Sequence, residues 1–137
     1  MRYHANIARE GRYWSAVFVD APGCATFGTS RARALVAARE ALEGWIEAHL
    51  VDGRAPQRPG DHPGTEPVNV NPQLAVAVEL RWARQDAGLT QADLARRVGV
   101  SQQQVAKLER PGANPSIATL RKVADALGVR VELKLVA

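Results

Sequence analysis

The segment from residue 89 to residue 110 constrains the fold of this chain more than any other stretch. It carries a small residue, Ala95, where two short helices could cross, and a glycine, Gly99, that can adopt a positive φ in the turn between them. An apolar face that could hold the two helices together is supplied by Leu94, Val98, Val105 and Leu108. Together these features predict a helix-turn-helix.

Both predicted helices begin with a suitable N-cap residue. Thr90 precedes a helix that starts at Gln91, and Ser101 precedes a second helix over residues 102–110. A hydroxyl at this position accepts a hydrogen bond from a first-turn amide, which favours the start of a helix there.

Three consecutive glutamines, Gln102, Gln103 and Gln104, occupy the first turn of the second helix. In a helix-turn-helix this turn meets the base edges in the major groove. A glutamine amide can pair with N6 and N7 of adenine, and Lys107, about one turn further on, can reach a guanine or a phosphate. The alternative is a polar helix face that meets only solvent, and the spacing favours the DNA-binding interpretation.

From about residue 72 to residue 129 the chain resembles the XRE-type domains of phage repressors and antitoxins. The resemblance implies that Gln91 contacts a phosphate and that Arg84 and Glu109 form a buried, structural ion pair. It makes Gln102, Gln103 and Lys107 the base readers. The full set of residues that we expect at the DNA interface is Thr90, Gln91, Ser101, Gln102, Gln103, Gln104, Lys107 and Arg110.

The positive charge of the chain lies in its second half. Residues 1–71 contain eight arginines, no lysine and eight acidic residues, whereas residues 72–137 contain ten Lys and Arg against six acidic residues. A basic half beside a neutral half indicates nucleic acid as the partner of one half and something else for the other. We therefore expect two small domains, residues 1–70 and 71–137.

The cysteine count and the hydropathy of the chain indicate its solubility and its cellular compartment. Cys24 is the single cysteine, which rules out an internal disulfide and is compatible with a reducing compartment. No stretch approaches the roughly 20 apolar residues of a membrane span. Arg9, Glu10 and Arg12 interrupt the N-terminus, so it does not resemble a signal peptide. We expect a soluble, cytoplasmic protein that does not bind membranes.

The first half alternates between strand and turn signals before one long helix. Strands are predicted over residues 3–7 and 13–19, joined by a hairpin at Gly11, and over residues 24–28. Ser30 then caps a helix of about 20 residues, whose apolar positions recur every three or four residues up to Gly53. Residues 53–66 are rich in Pro and Gly and predict a loop or arm, and Val68 and Val70 suggest a last short strand.

The run YWSAVFVDAPGCATFGTS at residues 13–30, followed by an Ala-rich helix that ends in Trp45 and Ile46, resembles the HicB antitoxin family. The resemblance implies a partial RNase H-like domain. The expected fold class is therefore α+β: an N-terminal antiparallel sheet covered by one long helix, then an all-α helix-turn-helix domain with a terminal β-strand. One departure is Arg31 and Arg33 at the helix start, where the family usually has acidic residues.

Catalysis and metal binding find little support in the sequence. A two-metal nuclease needs several converging carboxylates, and the strand region offers only Glu10 and Asp20. Asp20 lies in a turn, where its common role is to accept hydrogen bonds from nearby amides. The histidines His4, His49 and His62 lack metal-ligand spacing. We expect no enzymatic activity, no metal and no cofactor.

The helix over residues 72–87 has more apolar surface than its own domain needs. One stripe is expected to pack inside the helix-turn-helix domain and consists of Val76, Leu80, Ala83 and Ala87. A second stripe consists of Ala75, Val78 and Trp82. Trp82 either covers the edge of the small domain or contacts the N-terminal domain or a second subunit.

The C-terminal tail predicts a strand over residues 129–136. Its apolar positions alternate with charged ones and are Val129, Val131, Leu133 and Leu135. A lone strand leaves unpaired backbone groups, so we expect it to pair with the same strand of a second chain and to form a homodimer or higher oligomer.

The two resemblances together imply an antitoxin that binds a HicA-like mRNA-interferase toxin through its first domain and represses its own operon through operator DNA. The toxin-facing surface is expected on the outer face of the long helix and on residues 54–66. The alternative is a stand-alone transcriptional repressor whose N-terminal domain senses a small ligand. An adjacent short reading frame for a small basic protein would favour the antitoxin.

Overall fold

The computed structural model describes the whole chain, residues 1–137, as two compact units, Met1–Ala75 and Val76–Ala137. The predicted division at residues 70 and 71 therefore lies a few residues before the structural one. No helix is both long enough and apolar enough to cross a membrane.

The first unit contains a four-stranded antiparallel sheet in the order β3-β2-β1-β4. Its strands are β1 (Arg2–Glu10), β2 (Tyr13–Phe18), β3 (Ala25–Gly28) and β4 (Glu66–Asn69). The predicted hairpin is present, and Gly11 turns the chain with a φ of 61°. β1 is longer than the predicted residues 3–7 because β2 pairs with one part of it and β4 with the other.

Helix α1 (Arg31–Val51) covers one face of this sheet, as the sequence predicts. The Ser30 hydroxyl caps it by accepting a hydrogen bond from the amide of Arg33. Gly28 is needed beside it, because a Cβ there would lie 2.4 Å from the backbone nitrogen of Ala34. The residues buried between helix and sheet include Tyr3, Ala5, Ala16, Phe18, Ala34, Ala38, Leu42 and Ile46.

The predicted aperiodic loop, residues 53–66, is tied to the rest of its unit through Asp20. The Gly60 amide donates to Asp20 Oδ2 at 2.7 Å, and His62 Nε2 lies 2.6 Å from the same oxygen. The Tyr3 hydroxyl donates to the carbonyl oxygen of Gln57 at 2.5 Å. The prediction that Asp20 accepts hydrogen bonds from amides in its own turn is wrong. Its carboxylate accepts one from the Gly60 amide, 40 residues away in the chain.

The second unit contains helices α2 (Pro72–Asp86, which begins before the division), α3 (Gln91–Val98), α4 (Gln102–Leu108) and α5 (Ile117–Leu127). Its core consists of Leu94, Ala95, Val105 and Val123, against which Leu80, Val98, Leu108 and Leu127 pack. Ala87 is exposed, contrary to the prediction, because α2 ends at Asp86. Val78 is fully buried and Trp82 is half-buried.

The structure confirms the expected layout of a sheet covered by one helix and followed by a helical domain. Residues 129–136, which the sequence predicts as a strand, do not form one in the single chain. A strand is defined by ladder hydrogen bonds to a neighbour, and no segment of the chain pairs with the tail. The side chains of residues 129–137 are exposed.

Candidate nucleic-acid interface

The crossing of α3 and α4 depends on Ala95 and Gly99. Ala95 is only 4% exposed and packs in the core, which leaves no room for a larger side chain. Gly99 has a φ of 82°, and its amide donates to the carbonyl oxygen of Ala95 at 2.9 Å. A residue with a Cβ is strained at this φ, so glycine is the residue that allows α3 to end here and the chain to turn into α4.

A capping box fixes the start of α3. The Asp93 amide donates to the Thr90 hydroxyl at 3.1 Å, and the Thr90 amide donates to Asp93 Oδ2 at 2.9 Å. Hydrogen bonding from Thr90 to the carboxylate, first of all from its backbone amide, holds the pKa of Asp93 below its ordinary value. Thr90 was predicted as a cap and Asp93 was missed, although Thr followed three residues later by an acidic residue resembles a capping-box pattern.

A second capping box fixes the start of α4. The Gln104 amide donates to the Ser101 hydroxyl at 3.2 Å, and the Ser101 amide donates to the side-chain oxygen of Gln104 at 3.0 Å. The amide group of Gln104 is therefore held against its own helix. Gln102 and Gln103 are exposed and make no hydrogen bond through their side chains. Two of the three glutamines are thus free to meet a ligand.

Cationic side chains lie close to the two free glutamines. Lys107 follows Gln103 by four residues, so the two side chains lie on one face of α4. Arg110 is also exposed, just beyond the end of the helix. Lys107 and Arg110 line an open groove of about 660 Å³ together with the loop over residues 111–115. The groove therefore places the positive charge of these two side chains on one side of α4.

Glu109 anchors the end of α4 to the rest of the unit. It is 1% exposed and accepts hydrogen bonds from Arg81 Nε at 3.0 Å and from Arg84 Nε at 2.7 Å. Arg84 also donates to the carbonyl oxygen of Leu89 at 2.8 Å. The structure thus contains the Arg84–Glu109 pair that the resemblance implies. Arg81 was missed, and the signal was its position three residues before Arg84, on the same face of α2.

Gln91 is partly engaged in this network. Its side-chain nitrogen donates to Glu109 Oε1 at 3.4 Å, and the residue is half-buried. One N–H of its amide group is therefore directed at a buried carboxylate, and the second N–H makes no hydrogen bond within the chain. Gln91 thus differs from the other predicted interface residues. Three of them position the helices, namely Thr90, Ser101 and Gln104. The remaining ones are exposed and are Gln102, Gln103, Lys107 and Arg110.

Titratable side chains elsewhere do not assemble into a metal site. No group of three or more His, Cys, Asp and Glu residues lies close enough to hold an ion. The nearest arrangement is around Asp20, where His62 binds the carboxylate and His4 packs edge-on against His62 with ring centroids 5.9 Å apart. These contacts tie the loop to β1, and they are hydrogen bonds and ring packing rather than a ligand cage.

Two capped helices crossing at Ala95 and Gly99, with amide and cationic side chains exposed on the second, define a helix-turn-helix DNA-binding domain. A family model described as Helix-turn-helix matches residues 80–134. A Bacillus phage phi105 protein named Immunity repressor protein is 38% identical over 58 residues, which cover 42% of this chain and 40% of that protein. The resemblance of the second half of the sequence to XRE-type domains is confirmed.

Relatives that match nearly the full length of this chain identify the family to which it belongs. A Photorhabdus laumondii protein named Antitoxin HicB 1 is 34% identical over 137 residues, covering 98% of this chain and 87% of the relative. A protein of Escherichia coli K12 named Antitoxin HicB is 32% identical over 143 residues, covering 99% of this chain and all of the relative. The chain belongs to the HicB antitoxin family, and its DNA-binding domain is the helix-turn-helix unit.

Proposed function

We propose that this antitoxin binds and neutralises a HicA-like mRNA-interferase toxin through its first unit and represses its own operon through its second. The observation that carries the proposal is the occurrence, in one chain, of a helix with free glutamine side chains and of a HicB-type sheet-and-helix unit. Both roles are binding functions and need no catalytic residue or cofactor.

Operator recognition would use the exposed side chains of α4. Gln102 and Gln103 would read base edges, and Lys107 would contact a guanine or a phosphate. Arg110 and the second N–H of Gln91 would contact phosphates, together with the exposed caps Thr90 and Ser101. Gln104 would act indirectly, since its amide group keeps the start of α4 in place. The buried Glu109 network would hold α4 rigid against α2 and α3.

Toxin binding would use the face of the sheet that α1 leaves uncovered. Phe27 is 65% exposed there, Val17 48% and Tyr13 49%, and the rings of Tyr13 and Phe27 meet edge to face at 5.5 Å. These three residues line an open groove on β2 and β3. Apolar patches of this kind on a small unit mark protein interaction sites. The partner would be the toxin, because an antitoxin must cover a protein surface with the part that does not bind DNA.

A competing surface, expected from the sequence, is the outer face of α1 with residues 54–66. Val36 on that face is 56% exposed, which makes it a matched control for the sheet. Co-expression of this chain with a HicA-like protein from an adjacent reading frame should yield a complex that purifies as one species, and the toxin in that complex should not cleave RNA.

The variants Phe27→Glu and Val36→Glu separate the two surfaces. Phe27→Glu should abolish co-purification and toxin inhibition, whereas Val36→Glu should retain both. Protection of the buried Cys24 from a thiol reagent serves as the folding control for each variant, because Cys24 lies in the same unit as Phe27 and Val36. Loss of the complex with Val36→Glu alone would place the toxin on α1 instead. No complex with the unaltered chain would favour the stand-alone repressor.

A further inference from the structure

The two edges of the sheet in the first unit differ in what they offer to another chain. β3 and β4 are the edge strands in the order β3-β2-β1-β4. An edge strand presents unpaired N–H and C=O groups, and proteins commonly block such an edge with proline or with charged side chains. In this sheet one edge is blocked and the other is open.

The β4 edge is blocked by Pro67. The Val70 amide donates to the carbonyl oxygen of Met1 at 3.0 Å, and hydrogen-bonded pairs alternate with non-bonded pairs along an antiparallel ladder. Tyr3 and Val68 therefore form a hydrogen-bonded pair, whereas the backbone of Pro67 is directed away from the sheet. Proline has no N–H, so this edge offers another strand no donor at that position.

The β3 edge carries free donors and acceptors. The Phe18 amide donates to the carbonyl oxygen of Cys24 at 3.1 Å, which makes these two residues a hydrogen-bonded pair. By the same alternation Thr26 bonds to β2, and the N–H and C=O groups of Ala25 and Phe27 point outward. β3 contains no charged residue and no proline. This edge is therefore open to another strand.

The side chain of Phe27 joins the open edge to the sheet face that we assign to the toxin. It is 65% exposed and lies opposite Ser15 on the face that α1 leaves uncovered. A residue on an added strand, opposite Phe27, would cover the part of the ring that β2 does not. The charged residue that lines the groove on this face is Glu10, which fits a partner that carries Lys or Arg there.

We propose that the toxin adds an extended segment of its own chain to β3, as a further strand of the sheet. The segment exchanges backbone hydrogen bonds with Ala25 and Phe27 and places an apolar side chain against the Phe27 ring. The part of the toxin that lies over the adjoining groove presents a basic residue to Glu10. Strand addition rests on the proposed function, because the toxin is its partner.

A second copy of this chain fits the β3 edge less well. For both outward residues to bond, a two-fold axis would have to pass through Thr26, which would set Ala25 opposite Phe27 of the partner subunit. The methyl group of alanine covers little of a ring that is 65% exposed. A toxin strand has no such constraint and can place a larger side chain beside the ring.

Amide hydrogen exchange of the full chain, followed by NMR, tests the pairing directly. Binding of the purified HicA-like protein should slow exchange of the Ala25 and Phe27 amides at least about tenfold, because each gains a strand-to-strand hydrogen bond. The Asn69 amide points outward at the blocked edge and is the control, so its exchange should not change. A complex in which Ala25 and Phe27 exchange as in the free chain would overturn strand addition but not toxin binding.

A proline at the open edge tests strand addition through affinity. Ala25→Pro removes an outward N–H and spares the hydrogen bonds to β2, so it should weaken calorimetric affinity for the HicA-like protein at least about tenfold. Ala25→Ser keeps the amide, and this matched control should bind like the unaltered chain. Exchange of the Thr26 amide should stay slow in free Ala25→Pro, which shows that β3 is still paired with β2.

The remaining outcomes separate this binding mode from its alternatives. Equal affinities of Ala25→Pro and Ala25→Ser would place the toxin on the sheet face alone and overturn strand addition. Exchange at Ala25 and Phe27 that slows when the free chain is concentrated would assign the edge to a second copy instead. Absence of binding by the unaltered chain would refute the proposed function, and strand addition with it.

Discussion

Glu109, which follows α4, accepts hydrogen bonds from both Nε and Nη2 of Arg84, at 2.7 and 2.8 Å. This geometry is the bidentate one that makes Arg–carboxylate pairs strong. The hydrogen bonds from Arg84 to Glu109 hold the pKa of the guanidinium above its ordinary value, although burial acts in the opposite direction. A carboxylate at the end of α4 is thereby joined to α2.

Replacing Glu109 by Gln should strongly destabilise the second unit. The change leaves Arg81 and Arg84 without a buried counter-charge, and breaking a buried pair typically costs about 3–5 kcal/mol. The free energy of unfolding from a urea titration measures the loss. Glu79→Gln, the same substitution at an exposed position of α2, is the control and should change it by less than about 0.5 kcal/mol. Equal effects of the two variants would contradict the role of the network.

Gln103→Ala and Gln104→Ala should affect DNA binding in different ways. Gln103 has a free side chain, so its loss should relax preference at one base pair and cost about 1–3 kcal/mol there. Gln104 closes a capping box, so its loss should lower helix stability by about 1 kcal/mol and weaken binding to all sequences alike.

Affinities of both variants for the operator and for single-base-pair variants of it, measured at one salt concentration, separate these effects. Unchanged preference with Gln103→Ala would mean that this side chain does not face the bases.

The hydrogen bonds that join Asp20 to the loop over residues 53–66 should weaken in acid. Hydrogen bonds from the Gly60 amide, and then from His62, hold the pKa of Asp20 below its ordinary value of 3.8. Because the folded pKa is the lower one, the stabilisation is fully present above the ordinary pKa and is lost as pH falls through the lowered pKa.

An NMR titration of the Gly60 amide proton reports this change directly. Its chemical shift should titrate with a midpoint below 3.8. In Asp20→Asn the shift should stay constant over that range, because no carboxyl group faces the amide. A midpoint at the ordinary pKa or above would contradict the hydrogen bonds described.

Cys24 should be unreactive while the first unit is folded. It is 5% exposed, and burial raises its pKa to about 11, so almost no thiolate is present at neutral pH. An aromatic disulfide reagent at pH 8 should react with it only after addition of denaturant. Leu135→Cys supplies an exposed thiol in the same chain, and it should react at once. Fast reaction of Cys24 in the native chain would show that its site opens.

The helix-turn-helix was predictable because its determinants are local. Thr90 and Ser101 cap helices that begin one residue later, and Gly99 adopts its positive φ within the turn itself. Such interactions span three or four residues, so the order of residues is enough to reveal them. The periodicity of α1 was readable for the same reason, since one helix face repeats along the chain.

Relationships between distant residues were decided only when the chain folded. Asp20 meets the Gly60 amide, and Arg81 joins Arg84 on Glu109, across separations that no local pattern encodes. The C-terminal tail shows that a local pattern is not sufficient. Its alternation of apolar and charged residues predicts a strand, but a strand needs a second strand to pair with. By itself the sequence determined each local conformation, because those energies come from neighbours along the chain. The tertiary structure decided which polar side chains form hydrogen bonds within the chain and which remain available to a partner. The reason is that these hydrogen bonds depend on which distant residues each side chain packs against.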